Sequence, residues 1–422
     1  MKKILNKKET LIFAAWASYD WASAAFPIII TTFIFATYFT KQVAVNEIIG
    51  TYQWANATAL AGVLIAILSP IFGAIADHGG HHKRWLLFFT ILCVIFTALL
   101  WFVHPHSHSI YTALSAFVIA TIALEIGIVF YNSFLPHIAP ERYIGRLSGW
   151  AWGAGYLGGI ISLSIALFCF IKHPPIWLNT QSAEEVRISA ILVAVWFAVF
   201  SVPFFIFIPD SKATGLSAKK ALKKGLSELF STLKSLPEQK NLVLYLIAHL
   251  IYVDGLNTLF AFGGIYAAGT FGMSLADVVL FGITMNLTAG IGAIFLAWVD
   301  DWMGSKPTIL ISLLGLILLA LPLLFVQSTA AFWAIALFLS IFIGPVQAAS
   351  RSLMARITPK EKSTEMFGLY AFSGRITAFI GPWVLGLATY YFHSQRAGMA
   401  TILAFFIVGA LLMIKVTETR SA

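Results

Sequence analysis

The sequence predicts an all-α integral membrane protein whose twelve transmembrane helices form two pseudo-symmetric six-helix bundles. Three observations predict this fold class: a composition rich in apolar residues, twelve apolar stretches of membrane-spanning length, and a repeat of the first half of the chain in the second. Of the 422 residues, 59% are hydrophobic and 11% are charged, whereas about one quarter of the residues of a soluble domain are charged. The 36 Phe and 31 Gly suit lipid-facing helices that approach one another closely.

The apolar stretches can be counted directly, because a helix needs roughly 20 mostly apolar residues to cross a bilayer. Twelve stretches meet this requirement: 11–40, 51–76, 85–103, 110–136, 145–171, 187–208, 240–268, 275–299, 307–326, 329–355, 364–391 and 397–415. They divide into six and six. The division predicts an N-terminal six-helix bundle over 1–208, a linker over 209–239 and a C-terminal six-helix bundle over 240–422.

The linker contains a second kind of apolar pattern. In "SAKKALKKGLSELFSTLKSLPEQK", apolar residues recur at helical spacing among lysines, at Leu222, Leu226, Leu229, Phe230 and Leu233. This spacing predicts an amphipathic helix that lies at the membrane surface.

The distribution of Lys and Arg predicts the orientation, because these residues are enriched in cytoplasmic loops. With the N-terminus inside, 21 of the 27 Lys and Arg fall in cytoplasmic segments. Four fall in external loops: Lys41, Lys172, Arg187 and Arg396. We therefore expect a multi-pass protein of the inner or plasma membrane with both termini cytoplasmic. The net charge of +9 then reflects membrane orientation, and we expect no nucleic-acid partner.

The two halves of the chain repeat. "GAIADHGGHHKRW" follows the second apolar stretch and "AWVDDWMGSKP" follows the eighth, so that Asp77 corresponds to Asp301 and Gly80 to Gly304. Tyr19 and Asp20 of the first stretch similarly match Tyr252 and Asp254 of the seventh. Two repeated six-helix halves are a known plan of secondary transporters, in which the substrate site lies near mid-membrane between the halves.

Several segments carry a resemblance to a known family: "WASYDWASAAF", "FYNSFLPHIAPERYIGRLSGWAWGAGYLGG", "IYVDGLNTLF", "VQAASRSLMARITP" and "FGLYAFSGRITAFIGP". Together they resemble the autophagy-linked vacuolar amino-acid effluxer family and its bacterial branch. The loop "GAIADHGGHHKR" is similar to the signature of the major facilitator superfamily between spans two and three. The resemblance implies the major facilitator fold, with spans one, four, seven and ten lining a central cavity.

The same resemblance implies a latch between the two bundles. Asp77, beside Gly73 and Gly80, would accept hydrogen bonds at the N-terminus of a neighbouring helix and hold the halves together in one state. The repeat extends this expectation to Asp301 and Gly304. The alternative is that these are ordinary carboxylates at helix ends.

Five ionisable residues fall inside the apolar stretches: Asp20, Glu125, Asp254, Arg351 and Arg375. A charge at mid-membrane is costly, so it usually faces a cavity or a partner and marks function. The resemblance places four of the five on cavity-lining spans. Polar residues share their helix faces, notably Asn132 with Glu125, Asn257 with Asp254 and Gln347 with Arg351.

Two functional interpretations and one structural alternative fit these charges. Buried carboxylates can bind and release a proton during alternating access, for which Glu125 and Asp254 are the preferred candidates. Alternatively, Arg351 or Arg375 holds the carboxylate of a zwitterion with a fork of donors while Asp20 holds the ammonium. The structural alternative is that the charges pair with each other to fix helix packing or to latch a gate; the position of Arg351 near the cytoplasmic end of its span favours a gate.

The sequence therefore predicts a secondary transporter in which two bundles rock about a central site. Its expected partners are a small polar substrate (amino acids first), a proton as the coupling ion, and the lipid bilayer; we expect a monomer. The alternatives are a siderophore or drug-like cargo or, from another class, a membrane sensor or scaffold that does not transport.

Enzymatic and metal chemistry are not expected. The chain contains no Walker motif, catalytic triad or metalloprotease helix, so we expect no enzyme, no ATP-driven pump and no cofactor. His104, His106 and His108 alternate in the external loop "HPHSHS" and could bind Zn or Cu. No Cys or acidic residue accompanies them, so a solvated loop is expected.

Overall fold

The computed structural model describes residues 7–105, 109–210 and 218–418, and within these ranges all regular structure is helical. In the part of the chain that the structure describes, twelve helical segments are long and apolar enough to cross a bilayer. We number them spans 1 to 12: Lys7–Val43, Glu47–Gly79, His82–Phe102, Ile110–Ile138, Glu141–Ile171, Glu184–Phe207, Lys240–Phe271, Asp277–Met303, Ser305–Leu323, Thr329–Ile357, Lys360–Phe392 and Gln395–Lys415. Each predicted stretch falls largely within one of them.

A separate helix, Ala218–Ser235, lies between spans 6 and 7, where the linker was predicted to be helical. We call it the linker helix. It packs along span 2 at the end of that span near Gly79, since Gly225 of the linker helix contacts the backbone at Ala74 and Ile75. We call this end of the molecule the linker face.

Two spans are interrupted in ways that shape the candidate site. Span 10 consists of the helices Thr329–Ser340 and Ile343–Ile357. Span 11 consists of Ser363–Arg375 and Ile380–Phe392. An interruption in a membrane helix frees backbone N–H groups that need new partners, because no water is available in the hydrocarbon region. The second helix of span 11 therefore presents an N-terminus inside the bundle.

The two six-helix halves meet most closely at the linker face. There, Ser363–Arg375 of span 11 packs along span 2, and span 5 packs along span 8. The second helix of span 11, Ile380–Phe392, packs instead on spans 7 and 12 of its own half. The interface between the halves is thus closed at the linker face. The first helix of span 11 packs on the other half there, whereas the second helix packs on its own half.

Small residues allow this close approach. A Cβ atom added at Gly73 would lie 2.4 Å from the Thr364 carbonyl oxygen, and one added at Gly368 would lie 2.6 Å from Pro70 Cα. At the contact between spans 5 and 8, a Cβ at Gly149 would lie 2.5 Å from the carbonyl oxygen of Ala293. The helices of different halves therefore touch backbone to backbone, which larger side chains would prevent.

Candidate functional site

Arg351 of span 10 reaches across to the N-terminal half. Its Nη1 donates to Asp20 Oδ2 at 2.8 Å, and its Nε and Nη2 donate to the Ser148 hydroxyl at 2.9 Å and carbonyl at 2.7 Å. Asn132 Oδ1 lies 3.4 Å from the same Nη1. Three residues that the sequence singled out, on spans 1, 4 and 10, are thereby brought together. Ser148 of span 5 was not anticipated, because one serine among the glycines of that span gives no signal.

Aromatic rings surround the Arg351 guanidinium. Its Cζ lies 4.7 Å from the ring centre of Trp16, 5.6 Å from that of Trp152 and 5.8 Å from that of Tyr131. The Trp16 and Tyr131 rings are themselves stacked, with centroids 4.4 Å apart. A cation over an aromatic face gains about 0.5–2 kcal/mol, most where water is excluded. Arg351 is 3% exposed, so the rings and Asp20 together replace its hydration.

A second ion pair also crosses between the halves. Arg375, at the end of the first helix of span 11, donates from Nη2 to Glu125 Oε1 of span 4. The Arg375 side chain is 38% exposed and that of Glu125 is 23% exposed, whereas Arg351 in the first pair is nearly fully buried. This pair is therefore the less buried of the two.

Gln347 lies one turn before Arg351 and joins the same interface. Its Oε1 accepts a hydrogen bond of 2.7 Å from the Tyr156 hydroxyl of span 5. Spans 5 and 10 are also linked by the Ser148 hydroxyl, which donates to the Ala348 carbonyl at 2.8 Å. Polar contacts thus run along the junction of these two spans between the halves.

Asp254 lies apart from this cluster. It is 2% exposed, and its Oδ2 accepts a 3.0 Å hydrogen bond from the backbone N–H of Gly381, at the start of the second helix of span 11. Its Oδ1 has no hydrogen-bond partner among the described residues. The repeat pairs Asp254 with Asp20, yet Asp20 contacts the other half whereas Asp254 caps a helix of its own half.

Two polar residues, Asn257 and Thr258, follow Asp254 about one turn later on span 7. The Thr258 hydroxyl donates to the Asp254 backbone carbonyl at 2.7 Å rather than to the carboxylate. Asn257 is partly buried on the same span. A Cβ at Gly381 would lie 2.0 Å from Thr258 Oγ1 and 3.0 Å from Asp254 Oδ1, so only glycine fits between this carboxylate and the helix that it caps.

Asp77 holds the N-terminus of span 11 at the linker face. Its Oδ1 accepts from the backbone N–H of Thr364 at 3.2 Å, and its Oδ2 accepts from that of Glu365 at 2.8 Å. The first backbone N–H groups of a helix have no partner within the helix and carry partial positive charge. A carboxylate at this position accepts hydrogen bonds from these N–H groups and offsets their partial positive charge. The contact joins the two halves.

Asp301 of span 8 makes the equivalent contact with the N-terminus of span 5. Its Oδ1 accepts from the backbone N–H of Gly145 at 2.8 Å, and its Oδ2 accepts from that of Arg146 at 3.2 Å, at the start of span 5. Gly80 and Gly304 follow these helix ends with φ of 71° and 115°, which L side chains rarely adopt. The repeat in the sequence thus produces the same contact twice.

A third charged cluster at the linker face was not anticipated. Arg356 Nη1 lies 2.9 Å from Asp300 Oδ1 and 3.1 Å from Glu418 Oε1, and the three side chains are at most 5% exposed. Glu418 also accepts from the backbone N–H groups of Ser305 and Lys306 at 3.0 and 2.8 Å. In the sequence these residues resemble ordinary charges near helix ends, and only the fold shows that they are buried together.

The histidine loop offers no ligand cluster within the described residues. His104 Nε2 lies 3.4 Å from Arg187 Nη2, and His106 and His108 lie outside the described residues. Across the described ranges, no group of three or more His, Cys, Asp or Glu side chains is arranged to hold a metal ion.

Comparison with known proteins decides the family. The family model described as "Vacuole effluxer Atg22 like" matches residues 54–422. The chain belongs to this family. An uncharacterised transporter of the major facilitator type from Bacillus subtilis (strain 168), YxiO, is 26% identical over 427 residues, which cover 100% of this chain and 97% of that protein. Autophagy-related protein 22 of Cryptococcus neoformans is 25% identical over 297 residues, 65% of this chain and 53% of that longer protein.

Solved structures show the same fold. The transporter FucP in the outward conformation matches with a TM-score of 0.75 at 14% identity, over 97% of this chain and 99% of FucP. The proton:xylose symporter XylE matches with a TM-score of 0.75 at 13% identity, over 98% of this chain and 96% of XylE. The predicted fold class and the family resemblance are confirmed, and the chain is a secondary transporter of the major facilitator superfamily.

Proposed function

We propose that this transporter carries a small polar metabolite, with amino acids as the first candidates, by alternating access driven by a proton gradient. The observation that supports the proposal is the pair of cross-half contacts, Asp20 with Arg351 and Glu125 with Arg375. Each joins a carboxylate of the first half to a guanidinium of the second. A free amino acid carries one group of each sign, so it can take the place of either partner.

The proposal includes an orientation and two moving units. The linker face is cytoplasmic, because Lys and Arg concentrate in the segments that lie there; both termini are then cytoplasmic, in the inner or plasma membrane. Residues 1–208 and 240–422 rock against each other, joined by the linker over 209–239. The chain works as a monomer without enzymatic activity. In this conformation Asp77 and Asp301 keep the cytoplasmic side closed.

Glu125 is the proposed proton carrier. It is partly exposed and pairs with Arg375, so protonation removes its charge and frees the guanidinium to hold a substrate carboxylate. Loss of the proton restores the ion pair and displaces the substrate. Asp254 is the second candidate, because its Oδ1 has no hydrogen-bond partner among the described residues and can accept a proton.

Proteoliposome transport tests the proposal. The purified protein is reconstituted, and uptake of radiolabelled amino acids is measured with and without an imposed pH gradient. The parent is expected to accumulate substrate against its gradient. Glu125→Gln is expected to retain exchange between internal and external substrate while it loses gradient-driven accumulation. Glu361→Gln, at an exposed position, is the matched control and is expected to behave as the parent.

The outcomes discriminate between the alternatives. Accumulation by Glu125→Gln that follows the pH gradient like the parent's contradicts the role of Glu125, and the same comparison with Asp254→Asn tests Asp254. A thermal-shift screen that includes siderophores and drug-like compounds tests the substrate class, because a bound ligand raises the melting temperature. The absence of any saturable, gradient-dependent flux would favour a sensor or scaffold instead.

A further inference from the structure

The linker helix presents three distinct faces around its circumference. Successive residues of an α-helix are offset by about 100°, so Ala221, Gly225, Leu229 and Thr232 share one face, and all four are buried. A second face carries apolar residues and a third carries lysines and serines. The sequence pattern predicted one apolar face. The structure divides the apolar residues between a face that docks on the protein and a face that does not.

The docked face connects the linker helix to both halves. A Cβ at Gly225 would lie 2.8 Å from the Ala74 carbonyl oxygen of span 2, so the two helices touch at their backbones. At the edge of this face, Glu228 Oε2 lies 2.6 Å from His78 Nε2 of span 2, and Glu228 Oε1 lies 2.9 Å from Lys362 Nζ, at the start of span 11. The linker helix therefore bridges the same two spans that Asp77 holds together.

The second face is apolar and uncovered. It consists of Leu222, Leu226, Phe230 and Leu233, which share about one quarter of the circumference at helical spacing. Phe230 is 70% exposed, and Leu222 and Leu233 are each 44% exposed. This face points neither into the docked surface nor toward the lysines. Because span 2 crosses the bilayer beside it, the surroundings available to this face are the boundary between lipid headgroups and acyl chains.

The third face is basic. Lys220, Lys223 and Lys224 line an open groove with Ser227 and Ser231, and Lys362 of span 11 closes one side of it. Lys234 continues the face toward the end of the helix and is exposed. Glu228 is the acidic member of the groove, and it is already engaged by Lys362 and His78. The groove therefore carries a surplus of positive charge next to hydroxyl donors, which matches the phosphate of an anionic headgroup.

We propose that the linker helix binds anionic phospholipids of the adjacent leaflet, with its apolar face against the acyl chains and its basic face against the headgroups. Bound lipid holds the helix on spans 2 and 11 and so favours closure of the linker face. The lipid-binding part stands on the geometry alone. The effect on closure rests on the proposed alternating access, and neither readout below requires the substrate to be known.

The first experiment measures coverage of the apolar face. In the full chain with Cys93→Ala and Cys169→Ser, Phe230→Cys carries an environment-sensitive fluorophore, and quenching by aqueous iodide is measured in vesicles. Vesicles of phosphatidylcholine alone are compared with mixtures that contain phosphatidylglycerol. The anionic lipid is expected to protect the fluorophore. Each lysine near an anionic surface contributes about fivefold to association, so Lys220→Gln, Lys223→Gln and Lys224→Gln together should abolish most of the protection.

A variant with the same loss of charge is the control. Arg84→Gln, Lys360→Gln and Lys415→Gln remove three exposed basic residues from elsewhere on the chain and are expected to leave the protection intact. Equal protection in neutral and anionic vesicles overturns the proposal for anionic lipid, as does protection by inorganic phosphate in neutral vesicles. Loss of protection in the control variant as well would show a general charge effect and would also overturn it.

The second experiment measures closure. Ser363 is 1% exposed at the contact between span 11 and Asp77, so the labelling rate of Ser363→Cys by a membrane-impermeant maleimide reports opening of the linker face. Anionic lipid is expected to slow labelling several-fold in the parent and the control variant, and to have no effect in the triple lysine variant. Lipid-dependent protection at position 230 with an unchanged labelling rate at position 363 overturns the coupling to closure while lipid binding stands.

Discussion

Arg351 Nη1 and Asp20 Oδ2 lie 2.8 Å apart, although the two residues are separated by 331 positions in the chain and belong to different halves of the molecule. Arg351 is enclosed by three aromatic rings and makes two further hydrogen bonds to Ser148. The proposed rocking of the two halves would separate these two groups. The ion pair therefore links the stability of this conformation to the state of one carboxylate.

Replacement of that carboxylate is expected to destabilise the protein. Asp20→Asn leaves the buried Arg351 guanidinium without its negative partner, and breaking a buried pair in this way costs about 3 kcal/mol. The midpoint of thermal unfolding in detergent should fall by several degrees. Ser18→Ala is the control, because the Ser18 hydroxyl donates within its own helix to the Ala15 carbonyl at 2.8 Å. An Asp20→Asn protein that melts with the parent would show that the pair does not contribute to stability.

Both helix-terminal carboxylates should contribute to closure. Asp77→Ala and Asp301→Ala each remove two charge-assisted hydrogen bonds to backbone N–H groups, a loss of about 1 kcal/mol or more each. Asp301→Ala also removes the ion pair with the Arg146 side chain. Each is expected to accelerate maleimide labelling of Ser363→Cys several-fold, and the double variant should be faster than either single variant. Labelling rates that change for one carboxylate only would show that the repeat in the sequence does not give equivalent contacts.

Two glycines of span 2 provide a matched comparison. A Cβ at Gly73 would meet the Thr364 carbonyl oxygen at 2.4 Å, whereas a Cβ at Gly62 would meet nothing within 4 Å. Alanine favours a helix over glycine by about 1 kcal/mol at either position. Gly62→Ala should therefore leave the melting temperature unchanged or raised, while Gly73→Ala should lower it and speed labelling of Ser363→Cys. Identical behaviour of the two variants would contradict the backbone contact between spans 2 and 11.

The contact of the linker helix is expected to depend on pH. The hydrogen bond from Lys362 holds the pKa of Glu228 below its ordinary value of 4.5, and the charges of Lys362 and His78 act in the same direction. Because the pKa is lowered in the folded state, the stabilisation is fully present above pH 4.5 and is lost as the pH falls through the lowered value.

Thermal unfolding of the parent and Glu228→Gln across this range measures the effect. The difference between their melting temperatures should shrink toward zero as the pH falls below 4.5. Glu361→Gln, at an exposed position, should show no such convergence. A difference between parent and Glu228→Gln that persists at acid pH would indicate that the charge of Glu228 is not what holds the linker helix.

The fold and part of the site could be predicted because they depend on local composition. Membrane helices must satisfy their backbone groups internally, so length and hydropathy alone indicate the spans. The contacts of Asp77 and Asp301 follow from a loop signature that occurs twice. The docking of Leu229 was not predicted, because helical spacing does not distinguish an apolar residue that packs on the protein from one, such as Phe230, that is exposed.

The partners of the charged residues could not be predicted, because they depend on how distant helices are placed against each other. The pairing of Glu125 with Arg375 joins residues 250 positions apart, and no local pattern encodes such a contact. For Asp254, a clear pattern in the sequence does not predict the contact. Its match to Asp20 is clear in the sequence, yet the break in span 11 supplies a backbone N–H at Gly381 that gives this carboxylate a different neighbour.

Asp77 accepts hydrogen bonds from main-chain amides rather than from side chains of the helix that it holds. Every residue except proline offers the same amide, so positions 364 and 365 can change identity without removing these hydrogen bonds, whereas Asp77 cannot. Among descendants of one ancestral chain, substitutions should therefore accumulate at these two positions and be purged at Asp77. A search for correlated changes would miss this contact, although it joins the two halves.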